Sequence, residues 1–355
     1  MLAGSIPLHG VFLNIPSAPF ASLAPSAPVS SLSPDLQEAL RPLAAPDASL
    51  ASSLNAAVFS NRLDLASRLL PMANAHDLSS AVASSAMSRS LEGLRLLLPP
   101  AMSSAGGSRQ KLFAATLFSC VYYGHHECAQ LVLDLTPGLP LPEDGNDDRC
   151  KGPLSLATSN GDHQMLSILL DSRAPASQSE LFPALIAGAY PGDAECLALI
   201  MARLSDPEAP RAKAVIGQAL ELAARHGRSD ALTVLLRANP PKGACSLALA
   251  SASRRGNPKC VGALLPWADP NLGDGIAFVD AVENDSYTCL PLLLPRFIPD
   301  ERSHFAARSL ESLADLAKRS LSPRCAEILR ASIEAEQISA ATAAAQPSSI
   351  QVPRL

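Results

Sequence analysis

Aromatic side chains are scarce in this chain: Phe, Trp and Tyr together make up 4% of its 355 residues, with a single Trp. A β core usually draws on aromatic and β-branched side chains, whereas the Ala, Leu and Ser that dominate here favour thin helical layers. We therefore expect an all-α protein.

Long apolar runs and an excess of positive charge are also missing. Apolar runs such as 96–98 and 292–294 are short, far below the roughly 18 residues that a membrane-spanning helix needs. The net charge is −5 and the pI is about 5.8, so no positive field favours the phosphate backbone of nucleic acid. We expect neither membrane insertion nor nucleic-acid binding.

The sequence motifs that commonly carry chemistry are absent as well. There is no P-loop, no GxGxxG after a strand, no HExxH and no GxSxG. The eight cysteines are widely spaced and form no CxxC pair, so we expect reduced thiols in a reducing, cytoplasmic compartment. These absences predict a protein that is not an enzyme and that binds no cofactor and no metal. An enzyme with cysteine or metal chemistry stays as an alternative.

The two ends differ in composition from the middle of the chain. No charged side chain precedes Asp35, and the leader is rich in Ser and Pro, which interrupt helices and disfavour a packed core. We predict that residues 1–50 and 339–355 are disordered. A charge-free Ser/Pro-rich leader resembles the export signals of bacterial type III secreted effectors, which implies secretion by a bacterium into a host cytoplasm. The alternative is a low-complexity tail without a targeting signal.

A degenerate internal repeat occupies the region between these ends. The stretch GHHECAQLVL (124–133) aligns with GDHQMLSILL (161–170) and with GNPKCVGALL (256–265). Nine such copies can be placed, 28 to 37 residues apart, around the period near 33 that is typical of a β-turn plus two helices. We name the first residue of each copy its anchor. The anchors are Asn61, Arg89, Gly124, Gly161, Gly192, Gly227, Gly256, Asp285 and Leu321.

Apolar side chains recur at fixed distances from each anchor. The fourth, fifth and eighth residues after an anchor are apolar at 26 of 27 positions, with Gly93 as the exception, where composition alone would give about 13. Because residues at i, i+1 and i+4 share one helical face, each copy is predicted to contain a helix with a buried stripe. The fourth residue before each anchor is small, which lets a preceding helix pack closely. Paired helices stacked in this way predict a solenoid.

Three of the copies match a longer motif than the anchor and the apolar stripe. GPLSLATSNGDHQMLSILL (152–170) resembles the ankyrin repeat motif TPLHxAAxxGHxxVVxLLL, LELAARHGRSDALTVLL (220–236) is similarly close, and GNPKCVGALLPWADPN (256–271) ends in the ADxN turn of that family. The resemblance covers residues 52–335 and implies an ankyrin-like solenoid of about nine degenerate helix-turn-helix repeats. The copies depart from the family at TPLH, whose Thr and His are replaced, for example, by Gly152 and Ser155.

The run His125, His126, Glu127 and Cys128 suggests a metal or catalytic site. A zinc site needs about four N or S ligands, or three when it is catalytic, and no second pair at ligand spacing follows this run. The offset of Cys128 from its anchor is shared by Cys196, Cys260, Cys289 and Cys325. We therefore expect buried cysteines that behave as small hydrophobic residues.

The two residues before each anchor are the candidate binding surface, because in the ankyrin family they face the concave groove. Three of the four Tyr fall at this position, and neighbouring copies add Arg and His; Tyr and Arg are common in binding hot spots. The predicted partner-binding residues are Tyr122, Tyr123, Tyr190, Arg225, His226, Arg254 and Arg255. We expect a monomeric scaffold that binds an acidic or amphipathic segment of a protein. The alternative is ordinary amphipathic residues at helix ends.

Overall fold

A computed structural model describes residues 28–41, 49–143, 152–171, 177–299 and 306–345 of the chain. Regular structure in these residues is helical, with an isolated bridge between Pro28 and Ser49 and no β-strand. The prediction of an all-α fold is therefore confirmed for the part of the chain that is described. The chain divides into two compact units, Met1–Pro183 and Ala184–Leu355.

The first unit consists of helix pairs whose members pack against each other. Its helices are α1 (Pro34–Leu40), α2 (Leu50–Phe59), α3 (Leu63–Leu69), α4 (Ala75–Met87), α5 (Leu91–Ser104), α6 (Arg109–Tyr122), α7 (His126–Leu135), α8 (Pro153–Ser159) and α9 (His163–Asp171). Helices α2, α4, α6 and α8 pack side by side in one layer, and α3, α5, α7 and α9 form the other. Each pair therefore buries its apolar faces against its own partner and against its neighbours.

The second unit repeats this two-layer arrangement. The boundary between the units falls inside α10 (Gln178–Ala189), after Pro183. The following helices are α11 (Ala194–Arg203), α12 (Pro210–Arg225), α13 (Ser229–Leu236), α14 (Lys242–Arg254), α15 (Pro258–Leu264), α16 (Leu272–Glu283), α17 (Leu290–Leu293), α18 (Leu310–Arg319) and α19 (Pro323–Ala345). The first layer consists of α12, α14, α16 and α18, and the second of α11, α13, α15, α17 and α19.

Each anchor adopts the left-handed backbone conformation. The φ angles of all nine anchors are positive, from 47° at Asp285 to 82° at Gly192. In eight of the nine turns the N–H of the residue after the anchor donates to the carbonyl five residues earlier, at 2.8–3.0 Å, as from His125 to Cys120. This bond and the left-handed residue define a Schellman ending, which caps the first helix of the pair and reverses the chain.

The predicted apolar stripe forms the core of both units. Of the 27 stripe positions, all are buried except Ala326, which is half-buried. The small residues four positions before the anchors are buried as well. The exception in the stripe, Gly93, has no side chain, and packing explains this: a Cβ atom there would lie 2.7 Å from Ser90 Oγ and 2.9 Å from Ser85 Oγ. A larger side chain is therefore excluded at this one position of the stripe.

Helical structure extends into both segments for which we predicted disorder. Within residues 1–50, α1 begins at Pro34, where the missing N–H does not disturb a first helical turn, and it buries Leu36 and Leu40. Within residues 339–355, α19 continues to Ala345 because its Ala-rich sequence favours a helix. Residues 1–27, 42–48 and 346–355 lie outside the described part of the chain.

Two glycines of one repeat allow the anchor conformation to be tested. Gly256→Ala should lower the free energy of unfolding by about 1 kcal/mol, because L residues with a Cβ atom disfavour a φ of 67°. Gly262→Ala, six residues later in helix α15, should raise it by about 0.5–1 kcal/mol, because Ala favours a helix and nothing lies within 4 Å of its new Cβ atom. Urea denaturation of both variants measures this, and equal effects would contradict the left-handed turn.

Candidate interaction surface

Side chains that follow the anchors link each turn to the preceding one. The imidazole N–H of His125 donates to the carbonyl of Ala86 at 2.8 Å, and the amide of Asn257 donates to the carbonyl of Ala224 at 2.9 Å. These bonds join residues 39 and 33 positions apart in sequence. They bind carbonyl groups at the ends of the first helices and hold neighbouring turns in register.

The structure also accounts for the second histidine of the predicted cluster. His126 Nε2 lies 2.9 Å from both carboxylate oxygens of Asp162, which in turn accepts the backbone N–H of Met165 at the start of α9. His126 thus connects α7 to the next helix pair. Within the described residues, no group of three or more His, Cys, Asp or Glu side chains could hold a metal ion.

The described cysteines are free thiols in the helical core. Cys120, Cys128, Cys196, Cys245, Cys260, Cys289 and Cys325 are all buried. Burial raises the pKa of the Cys260 thiol to about 11 and the pKa of the Cys325 thiol to about 12. Because the thiolate is the nucleophile, a thiol with such a pKa is almost entirely in its unreactive form at neutral pH. These residues are suited to packing, as the repeat position predicts for all of them except Cys245.

In the first unit, two predicted binding residues belong to an aromatic cluster at the end of α6. Tyr122 and Tyr123 are each 42% exposed. Tyr122 stacks on Phe118 with ring centroids 6.1 Å apart and meets Tyr123 edge-on at 5.1 Å, and Tyr123 stacks on His125 at 5.8 Å. Each ring is therefore held by a neighbouring ring while part of its surface faces solvent, which limits the entropy lost on binding.

In the second unit, Tyr190 and His226 come from neighbouring turns and touch. Tyr190 is 58% exposed, and its ring centroid lies 4.4 Å from that of His226 in an edge-on arrangement. Arg228 Nε donates to the carbonyl of Tyr190 at 3.1 Å. The pKa of His226 is lowered, first by burial and then by the positive charges of Arg228, Arg225 and Arg255. The electrostatic potential around this histidine is therefore positive.

Arg254 and Arg225 are exposed and are held by acidic side chains. Arg254 donates two parallel hydrogen bonds to Asp280 of α16, at 3.2 and 3.1 Å, and the arginine side chain is 53% exposed whereas that of Asp280 is 8% exposed. The charge-assisted bonds to Asp280 raise the pKa of Arg254. Arg225 donates to Glu221 at 2.7 Å within α12. The carboxylates position the guanidinium groups while leaving them accessible to a partner.

The structure places the seven predicted residues in two groups. All are exposed: Tyr122 and Tyr123 lie in the first unit, and Tyr190, Arg225, His226, Arg254 and Arg255 lie in the second. Sequence reasoning missed the acidic partners Glu221 and Asp280. The first could have been found from its i, i+4 spacing to Arg225. The second lies 26 residues from Arg254, and no sequence signal marks that pairing.

Sequence reasoning also missed a groove between α12 and α14. It has a volume of about 580 Å³ and is bordered by Gly217, Ala244 and Leu247, among others. Leu247 is 59% exposed, which is unusual for a large aliphatic side chain. Leu247 stands nine residues before its anchor and therefore lies outside the buried stripe. A large apolar residue at such a position is the sequence signal that could have indicated this groove.

Comparisons with models of protein families and with curated proteins found no match for the chain. Among the described helices, none combines the length and the apolar character that crossing a membrane requires.

The buried thiols can be tested by their reactivity. In a Cys150→Ser variant, which removes the cysteine outside the described residues, we expect the other seven thiols to react with a disulfide reagent at pH 8 at least about a hundredfold more slowly than in urea. Burial and the raised pKa values are the reason. One thiol that reacts rapidly in the folded protein would contradict the packing role and favour cysteine chemistry.

Proposed function

We propose that the chain is a non-catalytic protein-interaction scaffold, built as an ankyrin-like stack of about nine helix pairs. The nine left-handed anchors, each followed by a helix with a buried stripe, support the repeat architecture. The observation that carries the function is the placement of exposed Tyr, His and Arg side chains at one repeat position of neighbouring turns in the second unit. Such a row presents large side chains with polar tips on a rigid support.

The proposed partner is an acidic or amphipathic protein segment. Arg225, Arg228 and Arg255 surround the Tyr190–His226 pair with positive charge, although the whole chain carries a net charge of −5. A carboxylate on the partner could accept hydrogen bonds from the guanidinium groups, and an apolar side chain could cover the tyrosine ring. Charge attraction would also increase the rate of association.

The rival proposal, an enzyme that uses cysteine or metal chemistry, has less support. The raised thiol pKa values disfavour nucleophilic cysteines among the described residues. His125 and His126 bond to a carbonyl and to a carboxylate of neighbouring turns, so both already have a structural role.

Affinity capture from cell extract, followed by mass spectrometry, tests the proposed surface. The combined variant Tyr190→Ala and Arg254→Glu should lose its partner by at least about tenfold, because truncation of central Tyr and Arg side chains commonly costs 2 kcal/mol or so. Arg237→Glu, which alters an exposed charge at the end of α13, is the control and should retain the partner. Capture by the double variant at the level of the unaltered protein would exclude this surface.

The captured partner should bind more tightly at pH 5.5 than at pH 7.5. In the free protein the pKa of His226 is lowered, partly by Arg225, Arg228 and Arg255, so this histidine resists protonation. Acidic groups of a partner would offset those charges and raise the pKa, and binding would then take up a proton. Calorimetry at pH 7.5 and 5.5 measures this, and His226→Gln should flatten the dependence. A pH dependence that survives in this variant would assign the proton to another group.

A further inference from the structure

The groove between α12 and α14 exists because small side chains line its floor. Gly217 and Ala244 face each other there, and a Cβ atom added at Gly217 would lie 3.0 Å from the Cβ atom of Ala244. Ala214 extends the floor by one turn, and Pro241 and Leu247 border the α14 side. The two helices therefore approach closely beneath an open channel whose surface is largely aliphatic.

The exposed leucine of this groove occupies a repeat position that holds a large aliphatic side chain in two neighbouring repeats. Leu247 stands nine residues before its anchor, and Ile276, which is 37% exposed, stands at the same position in the next repeat of the second unit. Helices α14 and α16 pack side by side, so these aliphatic residues share one face of the layer. The corresponding residues of the other seven repeats are Ser52, Ser80, Ala115, Gly152, Pro183, Gln218 and Ser312. The exposed aliphatic surface is thus a local property of these two helices and is not a requirement of the repeat.

Charge is distributed unevenly along the groove. At the end where α12 begins, Lys213 is paired with Glu208 at 2.6 Å. At the opposite end are Arg225 and Arg254, with Arg255 and Arg228 nearby. Arg254 lies seven residues after Leu247 on α14, which corresponds to about 10 Å along the helix axis. An apolar floor thus leads to a rim of exposed guanidinium groups.

We propose that this groove binds an amphipathic α-helix of a partner protein, with aliphatic side chains against Leu247 and carboxylates about two helical turns away, against Arg254 and Arg225. This inference rests on the proposed scaffold function and names the structure of the partner. A helix laid between α12 and α14 places residues i, i+3 or i+4, and i+7 on one face, and the spacing of i and i+7 matches the separation of Leu247 from Arg254. Helix α12, from Pro210 to Arg225, is long enough to support about four turns of such a ligand.

Charge favours a partner of different sequence over a second copy of this chain. The acidic residues along the groove, Glu208 and Glu221, are already paired with Lys213 and Arg225. Arg225 and Arg254 are paired as well, with Glu221 and Asp280, but Arg228 and Arg255 form no ion pair within the described residues, so the rim keeps a positive charge. The same groove in a second copy offers no surplus carboxylate that would match this charge. Self-association through this face is accordingly an outcome that contradicts the proposal.

A displayed library of random helical peptides of about 18 residues, selected against the full-length protein, tests the inference. The enriched peptides should carry aliphatic residues at i and i+3 or i+4, followed by Asp or Glu near i+7. Leu247→Asp should weaken the binding of a synthetic peptide from this set by at least about tenfold. The matched control, Thr233→Asp on α13, should not, because Thr233 is exposed in the other layer of the same unit. Circular dichroism verifies that both variants remain helical.

A charge exchange makes the result independent of small changes in folding. Arg254→Glu should reduce binding of the acidic peptide. Binding to this variant should be restored when Lys replaces the acidic residue of the peptide near i+7. Arg237→Glu is the control for the added negative charge. Rescue by the exchanged pair would place the carboxylate of the original peptide against Arg254. A nonspecific loss of stability would not be reversed by a change in the peptide.

Three outcomes would overturn the inference. Enriched peptides that lack the acidic spacing, or that bind Leu247→Asp unchanged, exclude the groove. Sedimentation showing self-association of the free protein that Leu247→Asp abolishes would assign the groove to a second copy. If the selected peptides instead depend on Tyr190 and not on Leu247, the groove proposal fails and the scaffold function stands. A complete failure to select any peptide counts against both.

Discussion

The reversal of the chain within each helix pair is the constraint on which the rest of the structure depends. It requires one residue with a positive φ, followed by a residue whose N–H reaches back to the first helix. Once this turn is set, the next helix starts at a fixed place, and its fourth, fifth and eighth residues point to the same layer. The aliphatic and cysteine side chains of the core are buried because they stand at these distances from the turn.

Much of this architecture could be predicted because the information is local. The anchors and the stripe lie within about eight residues of each other, so their spacing records helical periodicity directly. Glycine identifies five of the turns, and the same stripe identifies those at Asn61, Arg89, Asp285 and Leu321, where the residue type alone would not. Two helical segments were missed, in Pro34–Leu40 and at the start of the predicted C-terminal tail. Composition is an average over a segment and carries no information on the burial of single residues such as Leu36 and Leu40.

The candidate surface could be predicted only in part, for a physical reason. The repeat position indicates which side chains are exposed, and all seven predicted residues are. Their partners depend on which turns are neighbours and on how far apart the helices stand. The bonds from Arg254 to Asp280 and from Arg228 to Tyr190 join residues 26 and 38 positions apart, and the groove results from two small side chains on different helices. Such features follow from packing and not from periodicity.

The left-handed turns are not distributed evenly along the chain. The five glycine anchors are consecutive, from Gly124 to Gly256, whereas the two outer anchors at each end of the series carry a side chain in a conformation that disfavours one. Within each unit a helix pair is stabilised mainly by the pairs that pack against it, so local weakness in one pair is not shared by all of them. We expect the backbone to open first at the pairs whose anchors carry a side chain. The turns that carry Tyr190 and His226 have glycine anchors, so we expect their surface to stay ordered when those pairs open.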